Sequence, residues 1–224
     1  MNETDRNVYS IVLLEELVSS VDRLACECGM SRSGMINRIL AEYLSYATPE
    51  EKIENIFSCM EHLFSEAENF QVCSRQSETM LTLRSALMCR YHPTVRYALE
   101  LFRQNESAVG ELRVTLRTKN PELKEHLTEF FKFRGRMENR WLESYFPSGN
   151  VPYEIGPGHF HRTFPTPASE QDRDAEIIAK AISSYIQEFD RELKQYCAGS
   201  ESPVKTQVKL EWEYQNHLKK SIII

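Results

Sequence analysis

The tightest constraint on this chain lies in its first 44 residues. In Val8-Tyr9-Ser10-Ile11-Val12-Leu13, alternation puts Tyr9, Ile11 and Leu13 on one side and Val8, Ser10 and Val12 on the other, which predicts a short strand. Leu17, Val21, Leu24, Ala25 and Cys28 then recur at helical spacing. Gly29 stands where a left-handed helix cap is wanted. Ser31 is a good N-cap for a second helix carrying Ile36, Ile39, Leu40, Tyr43 and Leu44. One strand and two short helices cannot bury that strand alone, so the pattern predicts a second chain as partner.

This segment, about residues 6 to 46, resembles the ribbon-helix-helix fold of CopG/Arc-type DNA-binding proteins. The resemblance implies that two chains pair their strands into an antiparallel ribbon lying in the DNA major groove. It places Arg6, Val8, Ser10 and Val12 on the outward, base-contacting side. It gives Ser31, Arg32 and Ser33, at the start of the second helix, the role of holding phosphate through free backbone N–H groups and the helix dipole. The chain departs from the family at Val8 and Val12, where polar or basic residues are usual, and at Leu14, where proline or a polar residue is common. Valine can meet a thymine methyl but makes no bidentate base contact.

Charge bears on the same question. The chain has a net charge of −6, and residues 1–48 hold 4 Lys/Arg against 7 Asp/Glu. The head is therefore not basic, and DNA affinity would rest on a few placed cations doubled by dimerisation. Residues 71–148 are the basic part, with 13 Lys/Arg against 9 Asp/Glu. The N-terminus does not read as a signal peptide, no apolar run is long enough for a bilayer, and the six cysteines include no C-x-x-C pair. These features read as a cytoplasmic, bacterial-type protein with reduced thiols and no membrane partner.

Thr48-Pro49-Glu50-Glu51 restarts a helix after residues 1–48, with a cap, proline at the first helical position and acids in the first turn. Ile53, Ile56, Phe57, Met60, Leu63, Phe64 and Ala67 line one face of it, so residues 49–76 read as a connecting amphipathic helix. Residues 77–224 read as an α+β domain, an antiparallel sheet with helices on one face. Its predicted parts are a strand over Met80–Tyr91 and a hairpin pairing Val95–Leu101 with Leu112–Leu116. A helix follows Asn120-Pro121, another spans about 169–196, and Val204–Tyr214 alternates as a last strand. Met137-Glu138-Asn139-Arg140-Trp141-Leu142 echoes Met35-Ile36-Asn37-Arg38-Ile39-Leu40, which raises a second copy of the head as an alternative.

Pro147 to Pro167, rich in proline and glycine, reads as a long loop. It contains His159 and His161, a weak candidate metal pair with no cysteine or carboxylate close by in sequence. Arg84, Arg90, Arg96, Arg113 and Arg117 lie on or near strands and could form an anion-binding face if they share one side. No Gly-rich phosphate loop, nucleophile elbow or His-Glu-x-x-His appears, so the sequence predicts neither an enzyme nor a cofactor. The leading expectation is a homodimeric transcriptional regulator on double-stranded DNA, with a small-molecule or protein partner at the C-terminal domain. The alternatives are a dimerising interaction protein of antitoxin or assembly type with weak or no DNA binding, and a metal or effector sensor.

Overall fold

The computed structural model describes residues 8–44, 48–87, 93–103, 105, 107–146, 151–198, 203–219 and 223–224. The chain divides into two compact units, Met1–Lys52 and Ile53–Ile224. The first holds α1 (Glu15–Glu27) and α2 (Arg32–Tyr43), together with the first turn of α3 (Pro49–Ser65). At the end of α1 the chain closes a Schellman turn, in which Gly29 adopts φ +63° and Met30 N–H reaches the Ala25 carbonyl at 2.8 Å. Ser31 then caps α2, its hydroxyl accepting from Gly34 N–H at 3.1 Å. Thr48 and Glu51 cap α3 reciprocally, each side chain accepting the other's backbone N–H.

The expected strand over Val8–Leu13 does not form in this single chain. Residues 8–14 carry no regular structure before α1. A strand is defined by its neighbour, and the family ribbon draws both strands from different chains. The observed order in the first unit is therefore helix–helix.

The second unit is α+β. Its sheet comprises β1 (Phe70–Val72), β2 (Met80–Ala86), β3 (Thr94–Leu101), β4 (Ala108–Arg117), β5 (Tyr153–Gly156) and β6 (His159–Pro165). The order is β1-β2-β3-β4-β6-β5, antiparallel throughout. Helices α4 (Pro121–Leu142), α5 (Ala175–Ala198) and α6 (Pro203–Leu218) complete the unit. Strand alternation sends Leu81, Leu83, Val95, Tyr97, Leu99, Leu112, Val114, Phe160 and Phe164 into one continuous core with residues of α3 to α6. Thr82, Arg84, Arg96, Arg113, Arg117, His159 and His161 are left on the opposite side. The hairpin expected from residues 95–101 and 112–116 is β3–β4, with Tyr97 opposite Val114.

Four sequence expectations need correction. The connecting helix over 49–76 ends at Ser65, and β1 follows it. Ile53, Ile56, Phe57, Met60 and Phe64 sit within the sheet's own core, so the amphipathic face belongs to the second unit. The long loop over 147–167 contains the β5–β6 hairpin, turned at Gly158 with φ +76°. Phe160 and Phe164 point inward there, and Arg162 between them hides the apolar alternation. Val204–Tyr214 is not a strand but part of α6. Leu210 and Tyr214, four residues apart, are buried, while Val208 and Trp212 face outward. Finally, α4 runs 22 residues without a break, so the echo at 137–142 is no second head. Gly135 lies within it and lets the Tyr153 ring lie where a Cβ would come within 2.7 Å.

Candidate nucleic-acid interface

In the head, Val21, Ala25 and Met35 form the buried cluster, with Ile36 against it. Around this small core, Tyr9, Ile11, Leu14, Leu17, Leu24, Leu40 and Leu44 are exposed. Val8 and Val12, two of the expected base readers, are fully exposed, and Ser10 between them is exposed as well. Arg6 lies outside the described residues.

The three phosphate candidates come together at the start of α2, and two of them already have work. Ser31 is the helix cap, 3.2 Å from the Ser33 hydroxyl. Arg32 donates to both carboxylate oxygens of Asp22, from Nε and from Nη2, each at 2.6 Å. That bidentate pair holds the Asp22 carboxyl below the usual carboxylate range and raises Arg32 above its own. Because both side chains are largely in water, the pair is weak and its guanidinium can be recruited by a stronger anion. The Asp22–Arg32 contact was not visible in the sequence, since ten positions and a turn separate the two residues.

On the open side of the sheet, register settles where the arginines fall. Arg84 stands directly opposite Arg96, Arg96 opposite Thr115, and Thr115 opposite His159. Arg117 stands opposite Thr94, and Arg113 opposite both Ala98 and His161. These four arginines therefore share one face; Arg90 lies outside the described residues. Part of their charge is matched locally. Arg113 pairs with Glu111, His161 Nε2 is 3.0 Å from the same carboxylate, and Arg96 donates to Gln76 at 3.1 Å. His159 and His161 do share a face, but among the described residues no three His, Cys, Asp or Glu side chains are placed to hold a metal ion.

The sequence reading missed a charged network inside the second unit. Arg134 and Glu138 stand one turn apart on α4, with Nε–Oε1 at 2.8 Å. Glu138 also accepts from Arg162 Nε on β6 at 2.7 Å and from the Tyr185 hydroxyl on α5 at 2.6 Å. Arg134 Nη1 reaches Glu192 of α5. All four charged side chains are sealed from water. Aromatic rings shield the guanidiniums, with Tyr214 4.4 Å from Arg134 and Tyr185 4.6 Å from Arg162. Burial opposes charge on Arg134, but Glu192 and Glu138 hold it firmly protonated. Burial also penalises the Glu138 anion, yet Arg162 and Arg134 keep its carboxyl below the usual range. Glu192 is pushed up to about 7 by desolvation, with Glu188 adding to the push and Arg134 working against it. A third buried carboxylate, Asp190, accepts from Tyr97 at 2.8 Å and Ser85 at 3.1 Å and pairs with Lys194 at 2.6 Å. The available signal was Arg134 and Glu138 placed i, i+4 within the apolar stripe of α4, and Arg162 between two inward phenylalanines.

Among the described residues no helix is long and apolar enough to cross a membrane. Comparison with protein-family models, with curated proteins and with solved structures gives no match to this chain in any of the three.

Proposed function

We propose that the chain is a dimeric, sequence-specific DNA-binding protein, a transcriptional regulator of ribbon-helix-helix type. The observation that carries this reading is the head's imbalance between core and surface. Three buried apolar side chains hold α1 to α2, while an apolar set from Tyr9 to Leu44 stays uncovered. A second copy covers that set if residues 8–13 of both chains pair into a ribbon. Arg6, Val8, Ser10 and Val12 then face the major groove. The Ser31-capped start of α2 presents backbone N–H groups to phosphate, and Arg32 exchanges Asp22 for the DNA backbone.

The test uses the full chain in a mobility-shift assay on the DNA upstream of its own coding sequence, across a salt series. The expected result is a shift at low salt that weakens as salt rises. Arg32→Ala lowers affinity alike for all sequences and cuts the salt slope by about one per subunit, whereas Ser10→Ala changes sequence preference. No shift at low salt refutes the proposal. The Asp22 hold on Arg32 favours one rival, a head that dimerises without binding DNA; a stable dimer in sedimentation with no shift is its signature.

A further inference from the structure

The side of the sheet turned away from the core is unevenly charged. Register sorts its outward side chains into rows that cross the strands. One row runs Gln71, Arg84, Arg96, Thr115 and His159, and the next holds Ala86, Thr94 and Arg117. Neither row contains a carboxylate. Glu100, Glu111 and Glu154 stand in the rows on the other side, where Glu111 takes up Arg113 and His161. Arg84 and Arg96 are direct cross-strand neighbours, with Cβ atoms about 5 Å apart, and Arg117 lies diagonal to Arg96. Like charges so placed repel, a cost that an anion laid across them would offset. Arg84 and Arg117 are exposed, and among the described residues neither has a hydrogen-bond or ion-pair partner. Arg96 reaches Gln76 through Nη2, but its buried Nε has no partner.

We propose that this basic corner of the sheet binds double-stranded DNA, with Arg84, Arg96 and Arg117 holding backbone phosphates whatever the base sequence. The cations of the two rows are arginines and a histidine, with no lysine, and a guanidinium presents its donors in a fork that matches phosphate oxygens. The Thr94 and Thr115 hydroxyls add phosphate donors between them. The corner lies on an open face, where a polymer gains from several contacts at once. No Phe, Tyr or Trp stands in either row to stack an unpaired base, which favours a duplex over a single strand. Ala86 is the rows' one apolar side chain, so the corner lacks the apolar centre of a protein interface. The site lies wholly within the second unit and does not depend on what the head binds.

The test is fluorescence anisotropy of a labelled DNA duplex of scrambled sequence, titrated with the full chain across a salt series. Arg84→Gln/Arg117→Gln is expected to weaken binding about tenfold at about 0.1 M salt and to cut the slope of log affinity against log salt by about two per chain. Thr94→Glu sets a carboxylate directly opposite Arg117 and is expected to weaken binding severalfold with every arginine in place. Because it adds a favourable cross-strand pair, that loss cannot come from unfolding. Arg32→Ala, measured in parallel, separates this site from the head: if the head does not bind DNA, Arg32→Ala changes nothing while both sheet variants still lose affinity. Unchanged affinity and slope in the two sheet variants overturns the proposal. So does competition by poly-glutamate as strong as that by unlabelled duplex at equal charge concentration, which would assign the corner to an acidic protein.

Discussion

Glu192→Gln isolates one term in the stability of the second unit, and its effect should depend steeply on pH. Glu192 titrates near 4.5 when solvated and is pushed up to about 7 in the fold. Between those values the folded chain holds a proton that the unfolded chain has released. Stability therefore falls as pH rises through this window. With each unit worth about 1.4 kcal/mol, the loss amounts to about 3 kcal/mol and is complete above pH 7. Glutamine keeps an oxygen for Arg134 and does not titrate. The variant should match the parent near pH 4.5, gain steadily, and exceed it by about 3 kcal/mol at pH 8, roughly 6–12 °C in Tm for a chain this size. Other groups titrate in the same range. His217 is depressed by desolvation, so its contribution falls as the solution is acidified below 6.5, and Glu138 loses its contribution as pH falls below 4.5. Both are common to the two chains and cancel in the difference. The assay is urea unfolding followed by tryptophan fluorescence at several pH values. The chain's two tryptophans, Trp141 and Trp212, both lie in the second unit, so the signal reports that unit alone. A pH-independent difference, or one that grows toward acid, refutes the reasoning.

Three further outcomes are expected. Asp22→Ala frees Arg32 and removes a carboxylate, so DNA affinity at low salt should rise severalfold; an unchanged or weakened mobility shift would count against Arg32 as a phosphate contact. Gly110→Ala, beside the β4 bulge, sets a Cβ 2.3 Å from the Glu100 carbonyl oxygen, and should destabilise by about 1–3 kcal/mol in the same urea assay. Tyr97→Phe removes one of the donors to buried Asp190 but leaves Ser85 and Lys194, so its cost should be about 1–2 kcal/mol rather than loss of the fold.

Elements whose periodicity and caps agreed were legible from the residues. Asn120-Pro121 starts α4 as expected, with the Asn120 side chain accepting from two backbone N–H groups. The β3–β4 pairing follows from plain alternation. Misreadings arose where buried polar or exposed apolar residues broke the pattern. Arg162 interrupts the inward face of β6. Val208 and Trp212 on the outside of α6 mimic strand alternation, because every second residue from Val204 to Tyr214 is apolar or threonine. In α3, periodicity gave the helix but could not say which unit its apolar face would join. The expected strand over Val8–Leu13 is absent for a different reason, since the pairing expected of it needs a second molecule and one chain supplies no neighbour. The buried charge network joins positions from 134 to 192, a closeness that no local pattern carries.

The sheet is finished at both margins by very short strands, β1 with three residues and β5 with four, the latter closing on Gly156. Such stubs offer few free backbone groups for another molecule to extend. Growth by adding strands side to side is thereby discouraged, and with it the open-ended stacking that ends in aggregates. The pairing proposed for the head, by contrast, closes on itself at two copies.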